Sequence, residues 1–373
     1  MLTEFSPRVP QRTALCPLTS CARVGCVEAR GGVLWRFRGR ESHFSELGMD
    51  SAPDIILPAG TRVLVTGGAG FIGSHLVETL LEKGCRVLCM DDLSTGSYRN
   101  VELFQGHPGY EFLEADIKDP EACVAACEGQ EYVLHQAAWG SVPRSLERPL
   151  FYGENNVQGT LNLLEAARQA KVRRFVYASS SSVYGDNESL PKREDAIGNP
   201  LSPYALTKQC VEQWAGQYSR HYGLSVTGLR YFNVFGPRQD PHGPYAAVIP
   251  RFVQALLRGE SPVIYGDGTQ SRDFTPVRNV VRANLLAMLA GPEARGRAVN
   301  IACGTRHTLL ETLSLLGELL GVEPHPVFQP GRAGDVPHSW ADISLARAVL
   351  GYEPETSFSE GLRLAIQWYR ENL

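Results

Sequence analysis

The chain has 373 residues, 43% hydrophobic and 20% charged, with a formal net charge of -4. That composition supports a large buried core, and its slight acidity argues against nucleic-acid binding. No apolar run is long enough to span a bilayer, so no membrane partner is expected, and nine cysteines without paired C-x-x-C spacing point to no metal site and suit a reducing cytoplasm.

Residues 1–48 stand apart from the rest. They carry seven Arg, no Lys and four Glu, together with Cys16, Cys21 and Cys26, and show no sustained periodicity. A disordered tail, an Arg-rich transit-like peptide and upstream sequence translated in error all fit. The last is preferred, with Met49 as the start and residues 1–58 outside the folded body. Mass spectrometry of the native N-terminus decides, because a peptide from residues 1–30 rules Met49 out.

The run Val63-Leu64-Val65-Thr66 enters the cluster Gly67-Gly68-Ala69-Gly70-Phe71-Ile72-Gly73, and apolar residues then recur at helical spacing through Leu81. Strand, tight turn and helix in that order form a dinucleotide-binding unit. Gly67 permits the turn, Gly70 lets backbone approach a pyrophosphate, and Gly73 lets helix pack on strand. The helix N-terminus offers its N–H groups to phosphates. A second strand, 86–90, ends at Asp91, a carboxylate placed to accept from a ribose 2′-hydroxyl and to repel a 2′-phosphate. NAD rather than NADP is therefore expected.

Strand three spans 110–116. Asp116 and Ile117 at its end face the adenine, or Asp116 caps the next helix; both readings stand. Cys123 and Cys127 fall on that helix as buried thiols. Strand four, 131–138, ends in Ala137 and Ala138, small enough to leave room at the sheet's carboxyl edge, while His135 reads as a core histidine. A long helix opens at Asn155-Asn156. Strand five, 173–179, runs into Ser179–Ser182, and Ser202-Pro203 caps the helix that carries Tyr204 and Lys208. Strand six covers 225–231. Beyond Asn233 a Gly/Pro-rich loop precedes helices near 247–258, 278–290, 308–320 and 358–372 and strands 263–265 and 299–301. The fold class is an α/β, Rossmann-like doubly wound parallel sheet over residues 59–235, with a smaller α/β substrate domain over 236–373.

Tyr204 and Lys208 lie four apart, on one helix face. A phenol of pKa ~10 is a poor base at neutral pH. A neighbouring ammonium and a positive nicotinamide ring are expected to lower it toward the range that proton abstraction from an alcohol needs. Ser180 stands where it can bond the same substrate oxygen.

The Gly67–Gly73 turn, Ser180, Tyr204-x-x-x-Lys208 and the run Leu229–Arg238 together resemble the extended short-chain dehydrogenase/reductases, within them the nucleotide-sugar epimerases, and most nearly the UDP-N-acetylglucosamine 4-epimerases. The resemblance covers about residue 60 to the C-terminus. It implies Ser180, Tyr204 and Lys208 as catalytic residues, with Ser181 the alternative serine. It implies NAD contacts from Gly67, Gly70, Phe71, Ile72, Gly73, Asp91, Asp116, Ile117, Ala137, Asn156, Lys208 and Tyr231. A UDP-sugar would meet Ser141, Arg144, Ser181, Asn233, Arg272, Arg332, Asp335 and Ser339. In such enzymes a bulky aromatic four residues after the Asp335 position restricts the site to plain hexoses, so Ser339 leaves room for an N-acetyl group. Ser181 and Ser182 stand where dehydratases and decarboxylases carry carboxylates, which disfavours both reactions. A uronate 4-epimerase, with Arg144 pairing the C6 carboxylate, is the rival, and a non-catalytic NAD-binding scaffold the remote one. Homodimerisation through helices near 149–170 and 203–223 is also implied.

Overall fold

The computed structural model describes residues 55–242, 246–331 and 336–373. The readings of residues 1–48, Met49, Arg332 and Asp335 lie outside them.

Six strands alternate with helices: β1 (Arg62–Thr66), β2 (Arg86–Asp91), β3 (Tyr110–Glu114), β4 (Tyr132–His135), β5 (Arg174–Ser180) and β6 (Val226–Tyr231). With the strand Arg297–Ile301 they form one parallel sheet in the order Arg297–Ile301, β6, β5, β4, β1, β2, β3. Residue alternation along each strand divides the core between the sheet's two faces. Val63 and Val65 of β1, Leu134 and Val176 pack with the first helix, Phe71–Glu82, and with Val277–Leu289. Leu64, Val133, Phe175 and Tyr177 pack with the buried thiols Cys123 and Cys127 and with Leu163, Leu164 and Val211. Helices on both faces explain why all six residues of β6 are buried. This is a Rossmann-like doubly wound sheet.

The C-terminal third returns to that sheet. Val299 pairs with Leu229 and Ile301 with Tyr231, because the apolar end of this strand is buried beside β6. A separate core around Phe252, Ile264, Leu316 and Leu362 gathers the helices Val248–Leu257, Leu309–Leu320 and Phe358–Asn372. Short pairings that the sequence does not announce link this part to the cleft: Ser271–Arg272 lies between His307–Thr308 and His338–Ser339. Among the described residues no helix is long and apolar enough to cross a membrane.

His135 is buried between two threonines. Thr160 Oγ1 donates to the Asn156 carbonyl at 2.6 Å, so His135 Nε2 donates to Thr160 at 2.9 Å. Nδ1 is then left to accept from Thr66 Oγ1 at 2.7 Å. Burial drives the ring's pKa from 6.5 to about 3. The unfolded chain binds this proton below pH 6.5 and the native chain does not, so stability falls as pH drops from 6.5 toward 3. In His135→Gln the slope of unfolding free energy against pH, measured by denaturant titration between pH 4 and 6, should be shallower by up to ~1.4 kcal/mol per pH unit.

Candidate active site

The sheet order reverses between β1 and β4, and open α/β sheets bind ligands outside the carboxyl ends at such a point. A cleft of about 910 Å³ lies there. The Gly67–Gly73 turn forms one wall. Gly67 has φ +68°, and a Cβ on it would come within 2.6 Å of the Ala137 nitrogen. The first helix begins at Gly70 with no side-chain cap and no acid in its first turn, which leaves its N-terminus to a phosphate. Asp91, at the end of β2, is buried. It accepts from the Ala69 and Leu93 N–H groups at 3.0 and 2.9 Å. Burial raises its pKa and those two bonds oppose the rise. A carboxylate has lone pairs to spare for a ribose hydroxyl. Asp116 and Ile117 line a small pocket that shares Gly67, Asp91 and Ala137 with the cleft. The capping role falls to Asp119 instead, which accepts from Glu121 and Ala122.

The helix 203–221 starts as its sequence directs: Ser202 Oγ accepts from the Ala205 N–H at 3.1 Å, and Pro203 takes the first position. It brings Tyr204 and Lys208 into the cleft beside Ser180 and Ser181. Ser180 lies beside Tyr204, near enough to favour its phenolate, and its Oγ accepts from the Ser182 N–H and hydroxyl at 3.2 and 3.0 Å. Burial raises the Tyr204 pKa, and Ser180 opposes the rise. Lys208 Nζ donates to the Ala178 carbonyl at 2.8 Å and lies 5.9 Å from the Tyr204 ring centroid, while burial lowers its own pKa to about 8.

Phe71, Ile72, Ala137, Tyr231, Ser141, Asn233, Arg272 and Ser339 line the same cleft. Tyr231 Oη donates to Gln136 Oε1 at 3.1 Å and accepts from Asn284 at 2.8 Å. Asn233 has φ +36°, and its amide donates to the Asp273 carbonyl at 3.0 Å. Arg272 donates to the Ser271 and Pro337 carbonyls, both at 3.0 Å. Two residues fall elsewhere. Asn156 clamps Trp139: its Oδ1 accepts from the Trp139 N–H at 2.8 Å and its Nδ2 donates to the Trp139 carbonyl at 3.0 Å, while its neighbour Asn155 lines the small pocket. A π-helical stretch at Gly153–Gln158, inside a helix that begins at Pro149, buries both asparagines. Arg144 stacks on Trp139, its guanidinium 4.8 Å from the ring centroid, and not among the residues lining the cleft. Sequence reasoning overlooked Lys192 and His338, which do line it. Neither stands in a periodic element whose pattern would have exposed it.

The class this fold and cleft define is an extended short-chain dehydrogenase/reductase. The chain belongs to the NAD dependent epimerase/dehydratase family, whose model matches residues 63–302. It is 39% identical over 312 residues to a putative UDP-glucose 4-epimerase of Methanocaldococcus jannaschii, covering 83% of this chain and 99% of that one. The UDP-N-acetylglucosamine 4-epimerase of Methanobrevibacter ruminantium M1, solved with UDP-N-acetylmuramic acid, superimposes with a TM-score of 0.81 at 38% identity, covering 85% of this chain and all (100%) of that one. The UDP-glucuronic acid 4-epimerase of Bacillus cereus, solved with UDP-glucuronic acid and NAD, does so with 0.78 at 32% identity, covering 84% and 100%. NAD is the cofactor, and the glycine turn and Asp91 fit it.

Proposed function

We propose that this enzyme, an NAD-dependent UDP-sugar 4-epimerase, interconverts UDP-N-acetylglucosamine and UDP-N-acetylgalactosamine. The 4-epimerase activity rests on family membership and on relatives that share the whole folded body. The observation that carries the choice of sugar is Ser339, a small side chain in the wall of the cleft that holds Tyr204.

The Gly67–Gly73 backbone and the helix N-terminus would hold the NAD pyrophosphate, and Asp91 a ribose. The chemistry NAD supplies when bound is reversible acceptance of the C4 hydride, together with a positive ring that favours a nearby phenolate. Tyr204 takes the C4 hydroxyl proton and later returns it, and Ser180 hydrogen-bonds the same oxygen. Lys208, fixed on the Ala178 carbonyl, holds its charge beside both. The 4-keto sugar turns over in the cleft and is reduced on its opposite face. Asn233 and Arg272 take the nucleotide end; a guanidinium suits a diphosphate.

The uronate reading leans on Arg144, whose guanidinium lies over the Trp139 ring and is not among the residues lining the cleft. Incubating the purified protein with UDP-N-acetylglucosamine, UDP-glucose or their uronates, without added NAD, and resolving products by NMR tests the proposal. Conversion of the N-acetylhexosamine supports it; turnover of the uronates alone overturns it.

We also propose a homodimer, in a reducing compartment such as the cytoplasm, where the described cysteines stay free thiols. Leu206 and Trp214 are 49% and 46% exposed on one face of the helix 203–221, and Leu150 is 82% exposed at the start of the neighbouring one. Apolar stripes of this kind are normally covered. Gel filtration at micromolar concentration should return a dimer for the wild type and a monomer for Trp214→Glu. A monomeric wild type removes the dimer.

A further inference from the structure

The helix 203–221 grips the end of β5 at three successive residues. Tyr204 lies beside Ser180 in the cleft, and Lys208 donates to the Ala178 carbonyl at 2.8 Å. Between these, Ser179 Oγ donates to Glu212 Oε1 at 2.5 Å. Residues 204, 208 and 212 are spaced by four, hence on one helix face. Glu212 is itself held. Arg230, paired with Ser179 across the β5–β6 ladder, donates through Nε and a terminal nitrogen to its two oxygens at 2.9 and 2.8 Å. Arg230 is buried and Glu212 nearly so, their side chains 4% and 10% exposed. Arg230 also donates to Tyr184 Oη and the Glu194 carbonyl, so the fork cannot swing away.

We propose that Glu212 is a positioning residue for the epimerisation: it locks the serine-bearing end of β5 onto the helix of Tyr204 and Lys208. The inference rests on reading Tyr204 and Lys208 as the catalytic pair. A freely solvated surface carboxylate could not hold that lock. The bidentate bond fixes geometry, and burial strengthens a charge four residues from Lys208. The titratable groups around Tyr204 and Lys208 are Glu212 on their own helix, Tyr152, whose ring meets the Tyr204 ring edge-on at 6.4 Å, and His135 on β4, which burial holds neutral. Glu212 is therefore the anion that opposes the loss of the Lys208 proton.

The test compares Glu212→Gln, Ser179→Ala and Tyr204→Phe as NAD-loaded proteins on one nucleotide sugar. Glu212→Gln should lower kcat by about 10²-fold at little-changed KM, a misplacement effect. The pH at which its rate stops rising should move down by about one unit, as expected when an opposite charge near Lys208 is removed. A folded Glu212→Gln with wild-type kcat and an unmoved profile overturns the proposal. Should burying Arg230 without its anion prevent folding, Ser179→Ala leaves the ion pair intact and removes only the link to β5. A fall in its kcat at constant KM supports the proposal, and wild-type kcat overturns it. Tyr204→Phe separates the two layers: if it stays active the catalytic reading fails, and if it is dead while both other variants behave as wild type only the positioning role fails.

Discussion

Tyr204→Phe is expected to leave a folded, NAD-loaded protein whose turnover has fallen by ~10²–10⁴-fold, the range one positioned acid–base group supplies. The substitution removes a single oxygen. The ring stays edge-on to Tyr152, the helix keeps its Ser202 cap, and the Gly67 turn and Asp91 are untouched. KM should therefore change little, because loss of an interaction made mainly in the transition state appears in kcat. In the wild type the rate should climb with pH through neutrality, since burial holds the phenol above its ordinary pKa. It should level off once Lys208 begins to lose its proton near the value of about 8 to which burial lowers it, because the gain in phenolate is then offset by the loss of ammonium. In the variant the rising limb should vanish. Stopped time courses by NMR across pH 6 to 10 measure both. A variant retaining a tenth of the wild-type rate would remove Tyr204 from the chemistry.

The strand–turn–helix unit could be read before any coordinates because its signal is local. Glycine at 67 is demanded by one backbone angle, and the alternation along β1 sends Val63 and Val65 to one face and Leu64 to the other. Ser202-Pro203 is likewise a local start signal, and the helix obeys it. What the sequence could not supply is the direction of long side chains after folding. Lys208 sits on the expected face, yet its ammonium is claimed by the Ala178 carbonyl rather than aimed at the phenol, and only the packed strand end reveals that acceptor. Arg144 has the right charge for a uronate and is drawn to Trp139, a partner whose position depends on the Asn156 clamp. The strand Arg297–Ile301 reads correctly as a strand, but its neighbour is set by a crossover of some sixty residues, which no local pattern encodes. The two-residue pairings that carry Arg272 and Ser339 to the cleft are too short for period-two alternation to register.

Gly73→Ala should be the most damaging single methyl in the dinucleotide turn, among the described glycines 67, 68, 70 and 73. The added Cβ would lie 2.0 Å from the Gly67 carbonyl oxygen, 2.7 Å from its carbon and 2.8 Å from Gly68 Cα, all of them backbone atoms that cannot rotate away. The first helix must shift by more than an ångström relative to the turn, and its inner face is fixed by Leu76, Val77 and Leu80, each fully buried at 0% exposure. Overpacking of that kind costs about 1–3 kcal/mol. The larger loss is functional: displacing the helix separates its N-terminus from the glycine backbone, and the two together make the phosphate site. The purified variant should carry little or no NAD and remain inactive when NAD is added at micromolar concentration. Gly216→Ala is the matched control. It lies in the helix 203–221 with nothing within 4 Å of its added Cβ, so it should keep its NAD and gain up to ~1 kcal/mol from helix propensity. NAD content read by absorbance after acid release, alongside thermal unfolding of both variants, checks the pair. Wild-type NAD occupancy in Gly73→Ala would mean that close approach of helix to turn is not what holds the dinucleotide.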